Sequence, residues 1–271
     1  MTGNAVFLMY HELEAPGRPM VQSLPNYVRY VLSAENFRRH LARLKASGQR
    51  GLSVGEALAA LDAQATNGAT PANAGPSRAH VAITFDDGCE TDLLLAAPLL
   101  KEVGFNATFY VITGFTGQRG YMNEQQVREL SEMGFEIGSH SQTHSLLSDL
   151  DAASLRSEMV ESKDQLEQMT GRRIEHFSCP GGRWSRAVAS VAAEAGYASV
   201  ATSRPGKNSR AADRFRLARM TIMRETGVEE FERLCRAEML LRQRAQGVVL
   251  DAAKKVLGNS MYERLRSTVL D

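Results

Sequence analysis

Two adjacent carboxylates, Asp86 and Asp87, follow the apolar run HVAITF at 80–85 and precede Gly88. Two histidines, His140 and His144, follow EIGS in the string HSQTH. Successive side chains leave a strand on opposite sides, so neighbouring aspartates at a strand end point in different directions. One can hold a metal while the other, turned at the loop, handles a proton. Imidazoles four positions apart share one side of a helical turn, a spacing that suits a metal ion. Together with Asp87 they make two imidazoles and one carboxylate. Three protein ligands leave positions open for water and substrate, the pattern of a catalytic rather than a structural metal site. Each part also has a plainer reading: an Asp-Gly turn with Asp87 capping a helix, and two capping or surface histidines. A third loop, FSCPGGR at 177–183, again follows a strand-like run. Its proline fixes a turn, and its glycines allow backbone N–H groups close to a developing oxyanion. By itself Pro-Gly-Gly is an ordinary turn.

The elements that must position these groups are legible from residue 80 onward. Strands are expected at HVAITF, ATFYVIT, EIGSHS, IEHFS and ASVAT, and an earlier one at residues 5–10, AVFLMY, ends at His11. Helices are expected between them at 91–104, 123–134, 151–171 and 184–196, each closing on glycine. Strands alternating with helices indicate βα units around a parallel sheet, whose C-terminal strand ends carry the active site. No dinucleotide glycine fingerprint is present, so a closed or nearly closed barrel fits better than a doubly wound sheet. Ahead of these units, Ser33 caps an expected helix with Phe37, Leu41 and Leu44 on one face, and VGEALAALDA at 54–63 is a second. Residues 12–32 read as irregular. The Ala-, Asn-, Gly- and Pro-rich stretch at 64–79 reads as a flexible loop within a single domain spanning 1–271. Two terminal helices are expected at 228–246 and 251–267. Their mixed charges favour packing on the barrel, or a homo-oligomer contact, over lying on a membrane surface.

Lysine and arginine number 32 against 31 aspartates and glutamates, a net charge of +1. That balance gives no support for a nucleic-acid partner, and no apolar run reaches the roughly 18–20 residues of a transmembrane segment. The start, MTGNAVFLMYHELE, makes a poor signal peptide, and three widely spaced cysteines argue against a disulfide framework. A cytoplasmic location is therefore expected.

ITFDDG at 83–88, HSQTH at 140–144 and the CPGG loop stand in the order and rough spacing of the NodB-like polysaccharide deacetylases, carbohydrate esterase family 4, which this chain resembles over residues 5–222. ATFYV, EIGSH and the opening LMYHEL add to the resemblance. It implies an α/β fold, a distorted (β/α) barrel of the NodB-homology type with fewer than eight regular strands and, here, extra C-terminal helices. It also implies metal-dependent removal of acetyl groups from an N-acetylated saccharide of a polysaccharide or glycolipid. Carried over by position, Asp86 is the catalytic base, Asp87, His140 and His144 are the metal ligands, and the Gly181 N–H helps hold the oxyanion. Zinc suits this ligand set best, and cobalt, nickel, iron or manganese would also fit. No other cofactor is implied.

Two positions depart from the family pattern. Ser178 stands where many members carry an arginine paired with the base, which should raise the pKa of Asp86 unless another group compensates. Arg183, five positions on, is one candidate substitute, and simple absence of any cation is the alternative. The late Leu-x-His motif should fall near LARMTI at 217–222, yet no histidine follows His176. His11, at the end of the first strand, is the preferred general acid, against a purely structural role. These departures keep two other functions open: a catalytically inactive saccharide-binding barrel, and a hydrolase of cyclic amides or ureides on the same scaffold. Cys89 and Cys179 read as buried thiols rather than ligands. The basic stretch 203–216 reads as a solvated loop or a contact for an acidic saccharide or lipid-linked phosphate. Tyr10, Tyr121 and Trp184 read as core or as sugar-stacking rings.

Overall fold

The computed structural model describes residues 4–14, 16–63 and 79–238. The chain divides into two units, residues 1–237 and 238–271, and the first is described here. The loop expected at 64–79 lies outside the described residues except for residue 79. So do the helix expected at 251–267 and the part of 228–246 beyond residue 238.

Short apolar runs form the sheet: β1 (Asn4–Tyr10), β2 (His80–Phe85), β3 (Thr108–Val111), β4 (Glu136–Ser139), β5 (His176–Ser178), β6 (Ser199–Ala201) and β7 (Met220–Thr221). Strands β1 to β6 lie side by side in chain order, all parallel. In β2 every residue after His80 is buried, as a strand covered on both faces requires. The curl comes from the last strand: β7 returns beside β1, with Leu8 opposite Met220, while Leu217 bridges to Ala201 of β6. Residues 217–221 thus stitch one end of the strand order to the other, and the sheet becomes the distorted barrel expected. Gly51–Leu52 adds a short parallel piece to β2, and Asn208–Ser209 an antiparallel one to β1. The irregular stretch 12–32 holds a two-strand pairing, Leu13–Glu14 with Leu32–Ser33, that its composition does not reveal.

The helices start where capping chemistry allows. Ser33 accepts from the Asn36 N–H at the start of α1 (Ala34–Ala46), and α2 (Val54–Ala63) follows. The helix expected at 91–104 has two parts. A π-helical turn, Asp92–Ala96, leads into α3 (Ala97–Val103). Asn123 and Gln126 form a reciprocal capping box for α4 (Glu124–Glu132), and Asp151 caps α5 (Ala152–Thr170). α6 (Arg186–Glu194) and α7 (Val228–Cys235) complete the set. One core cluster joins Val54, Ala57, Leu58 and Leu61 of α2 to Phe7, Ala82, Tyr110, Ala201 and Leu217. One helix and strands from both ends of the barrel order therefore share a single core cluster.

Candidate active site

The C-terminal ends of β1, β2, β4 and β5 carry His11, Asp86–Asp87, His140–His144 and the loop 178–183 respectively. After β2 the backbone turns sharply: Asp87 has φ 81° and Gly88 φ 76°. A Cβ at Gly88 would lie 3.1 Å from Val111 Cγ1 and 3.2 Å from its Cα, so glycine is demanded there. After β4 the chain is not a helical turn, contrary to the expectation from spacing. Ser141 (φ 67°) and His144 (φ 61°) take left-handed conformations, rare for residues with a side chain. Glu158 of α5 holds this loop by accepting from the N–H groups of Gln142 and Thr143 at 2.9 Å. Ser141 Oγ accepts from the His144 N–H at 3.1 Å. The strain at Asp87 and His144 is thus stored where functional groups converge.

Those groups do converge. His140 Nε2 lies 3.5 Å and His144 Nε2 3.6 Å from the same oxygen, Asp87 Oδ1. One ligand atom from each residue falls within 4.8 Å of the others. Two donors each about 2.1 Å from a tetrahedral centre stand roughly 3.4 Å apart, so these separations match the edges that such a shell would have. The His140 Nδ1–H donates to the Ser178 carbonyl at 2.8 Å, which leaves the Nε2 lone pair free for a ligand. Burial pushes His140 down to about 3 and lowers His144, so both imidazoles are neutral at pH 7. Burial, with the charge of Asp86 adding to it, pushes Asp87 up to about 6. A buried carboxylate so penalised, faced by two neutral imidazoles, is a donor set that a divalent cation would complete.

Beside this triad, Asp86 is 3% exposed. Its partner is Arg219, from the segment where the late histidine motif was sought. Arg219 Nη1 and Nη2 donate to Asp86 Oδ1 and Oδ2, both at 2.7 Å. The remaining donors reach the Thr202 carbonyl, Thr84 Oγ1 and Ser178 Oγ. All five guanidinium N–H groups are therefore engaged. Burial alone would raise Asp86, but the Arg219 guanidinium, helped by His140, outweighs it and holds the carboxyl well below the usual range. The rise expected from Ser178 does not occur. The compensating cation is Arg219, not Arg183, and Ser178 itself donates to Asp86 Oδ2 at 3.2 Å. Sequence reasoning missed Arg219, although a lone arginine inside the apolar segment LARMTI is a signal that a buried anion awaits it.

His11 sits close enough for Asp87, Asp86, Arg219 and His144 to act on its charge; burial lowers its pKa and the two aspartates oppose that shift. Its ring lies 4.8 Å from that of Tyr30, and its buried Nδ1 has no hydrogen-bond partner among the described residues. Gly181 (φ 57°) lies in the loop after β5, where a Cβ would come 3.3 Å from Leu146 of the histidine loop. The secondary candidates resolve towards the core. Tyr10 is buried against Phe85, Cys89 and Cys179 are buried, and the Trp184 indole N–H donates to the Phe215 carbonyl. In the basic stretch, Arg214 pairs with Asp62 at 2.7 Å and Arg216 covers Trp184.

Residues 73–200 match the polysaccharide deacetylase family. A putative polysaccharide deacetylase of Bacillus subtilis, YxkH, is 33% identical over 147 residues, covering 54% of this chain and 53% of that protein. A peptidoglycan-N-acetylglucosamine deacetylase of Bacillus cereus is 35% identical over 121 residues, 44% of this chain and 54% of that protein. The chain thus spans about half the length of these curated relatives. Among solved structures, a Streptococcus pyogenes deacetylase, PplD, in complex with acetate aligns with a TM-score of 0.72 at 25% identity, over 87% of this chain and 99% of that one. A Bacillus cereus polysaccharide deacetylase shares the fold, with a TM-score of 0.71 at 22% identity over 86% of this chain and 69% of that one.

Proposed function

From the membership of residues 73–200 in the polysaccharide deacetylase family, we propose that this chain is a metal-dependent hydrolase that removes acetyl groups from an N-acetylated sugar of a polysaccharide or glycolipid. The observation that carries the reading is the meeting of Asp87, His140 and His144 next to the buried Asp86–Arg219 pair. Asp87 and the two imidazoles would hold the cation, with zinc the first choice for one carboxylate and two nitrogens. When bound, such an ion polarises an acyl carbonyl and lowers the pKa of a water towards ~7.

The chain's own residues supply the rest. Arg219 keeps Asp86 charged at every working pH, so Asp86 can take the proton of the attacking water. A carboxylate held this low is a weak base, and the acidified water makes up for it. The Gly181 N–H is the proposed donor to the developing oxyanion. An amide nitrogen leaves only once protonated; the proton that Asp86 takes from the water must be passed on, and His11, whose Nδ1 has no partner among the described residues, is the proposed acid that receives it and hands it to the nitrogen.

The inactive-barrel alternative arose from Ser178 and the missing late histidine. Arg219 supplies the cation beside Asp86, and His11 lies at the same site, so neither feature favours it. Nothing in the site favours a cyclic amide or ureide. The proposed cytoplasmic location rests on the burial of all three cysteines. No helix among the described residues is long and apolar enough to cross a membrane. Most of the terminal segment on which a homo-oligomer contact was expected lies outside the described residues. The test is acetate release from N-acetylglucosamine oligomers. It should vanish with chelator, return with added zinc and be absent in Asp86→Asn. Release that is indifferent to chelator, or none from any acetylated saccharide, would overturn the reading.

A further inference from the structure

A cavity of about 400 Å³ opens between α4, the C-terminal part of α5 and the segment that follows β3. It borders the candidate active site through the histidine loop, since the Thr113 and Gly114 N–H groups donate to the carbonyls of Ser141 and Gln142 at 3.2 and 2.8 Å. Its size falls in the range of small-ligand sites, roughly 300–1,000 Å³. The lining is almost wholly hydrogen-bonding: Thr113 and Thr116 after β3, Gln142 between the two candidate metal ligands, and Gln165 and Gln168 on α5. Glu124 and Arg128 on α4 complete it, with Met169 the one large apolar side chain.

Two of these groups lack what the fold normally supplies. Thr113 is 6% exposed, and its Oγ1 has no hydrogen-bond partner among the described residues; the buried Thr116 Oγ1 is in the same state. Neither oxygen is open to solvent, so the ligand chemistry is set by the rest of the lining, which asks for a group that both donates and accepts. The glutamines point to the same chemistry, for each amide offers two donors and one acceptor. An anion is poorly served, because Glu124 opposes Arg128, whose Nε–H already donates to the Met169 carbonyl at 2.8 Å. An apolar ligand finds one partner. A neutral, hydroxyl-rich ligand finds many.

We propose that this cavity is an accessory saccharide site, which binds a sugar unit of the polymer chain remote from the unit being deacetylated. Its role as a second hold on the substrate rests on the deacetylase reading; its capacity to bind sugar does not. The test uses N-acetylglucosamine oligomers of two to six units and the whole chain, as wild type and as Gln165→Ala/Gln168→Ala. In NMR titrations of nitrogen-labelled protein, the longer oligomers should shift the side-chain amides of Gln142, Gln165 and Gln168, and the double variant should bind them roughly tenfold more weakly. Where acetate release is measurable, the variant should raise KM for the hexamer roughly tenfold, with kcat unchanged and the dimer unaffected. If no acetate is released but the amides still shift, the deacetylase reading fails and the sugar site stands. If millimolar oligomer leaves those amides unmoved, or the double variant binds the hexamer as tightly as wild type, the sugar site is overturned.

Discussion

Replacing Arg219 by methionine removes the cation from a pair that water does not reach. Arg219 is 0% exposed and Asp86 3%, and two hydrogen bonds of 2.7 Å join them. Methionine keeps much of the volume but none of the five donors. Asp86 is left as a buried charge whose only remaining hydrogen bond among the described residues is the 3.2 Å contact from Ser178. Breaking a buried pair from one side costs about 3–5 kcal/mol, which in a chain of this size lowers Tm by about 2–4 °C per kcal/mol. The loss should depend on pH with a definite sign. Asp86 in the native protein lies well below its unfolded value, so the pair stabilises at neutral pH and that stability is lost as pH falls through the acid range. Arg219→Met should accordingly be most destabilised at pH 7, and the gap to wild type should narrow steadily as pH falls into the acid range. Asp86→Asn, which removes the charge instead, should recover part of the loss when combined with Arg219→Met, giving a coupling energy above about 1 kcal/mol. Urea unfolding of the four proteins measures all of this. A cost under about 1 kcal/mol at pH 7, or strictly additive effects, would refute the assignment of Arg219 as the counterion of Asp86.

Three further outcomes are expected. His40 is buried with Nε2 bonded to the Thr226 carbonyl and Nδ1 to the Tyr10 hydroxyl, and burial pushes it down to about 4. The unfolded chain binds the proton first, so stability should fall by about 3 kcal/mol between pH 6.5 and 4, and His40→Gln should flatten that part of the unfolding profile. Asp92, in the π-helical turn, is fully buried with neither carboxyl oxygen partnered among the described residues, and burial raises its pKa far above normal. Asp92→Asn should therefore be more stable than wild type by about 1–3 kcal/mol at pH 8, with the gap closing towards pH 4; a constant gap in thermal scans would contradict this. His11→Ala should slow acetate release by about 10²–10⁴ while binding one metal ion per chain as wild type does, and unchanged turnover would remove His11 from the mechanism.

The parts of the site that were legible in the sequence are local. Asp86–Asp87–Gly88 ends an apolar run, so a strand end and a turn follow from neighbouring residues. The caps at Ser33, Asn123 and Asp151 likewise act within three or four positions. What escaped is non-local or conformational. Arg219 and Asp86 are 133 positions apart, and only the closure of the barrel by residues 217–221 joins them. A four-residue histidine spacing cannot tell a helical turn from a loop with left-handed residues at Ser141 and His144; the choice depends on Glu158, which anchors the loop from α5. The π-helical turn at 92–96 has the same apolar pattern as an α-helix and so reads as one. Ser178 reads as the loss of a cation beside Asp86, yet a cation reaches Asp86 from residue 219, just ahead of β7.

X-ray absorption at the zinc edge, on protein loaded with one equivalent of zinc, tests the central assignment most directly. Asp87, His140 and His144 around one ion should give a first shell of nitrogen and oxygen at about 2.0–2.1 Å, with the outer-shell signature of two imidazoles that falls to one in His144→Ala. A shell of sulfur, a spectrum without imidazole, or one that the substitution leaves unchanged would contradict it.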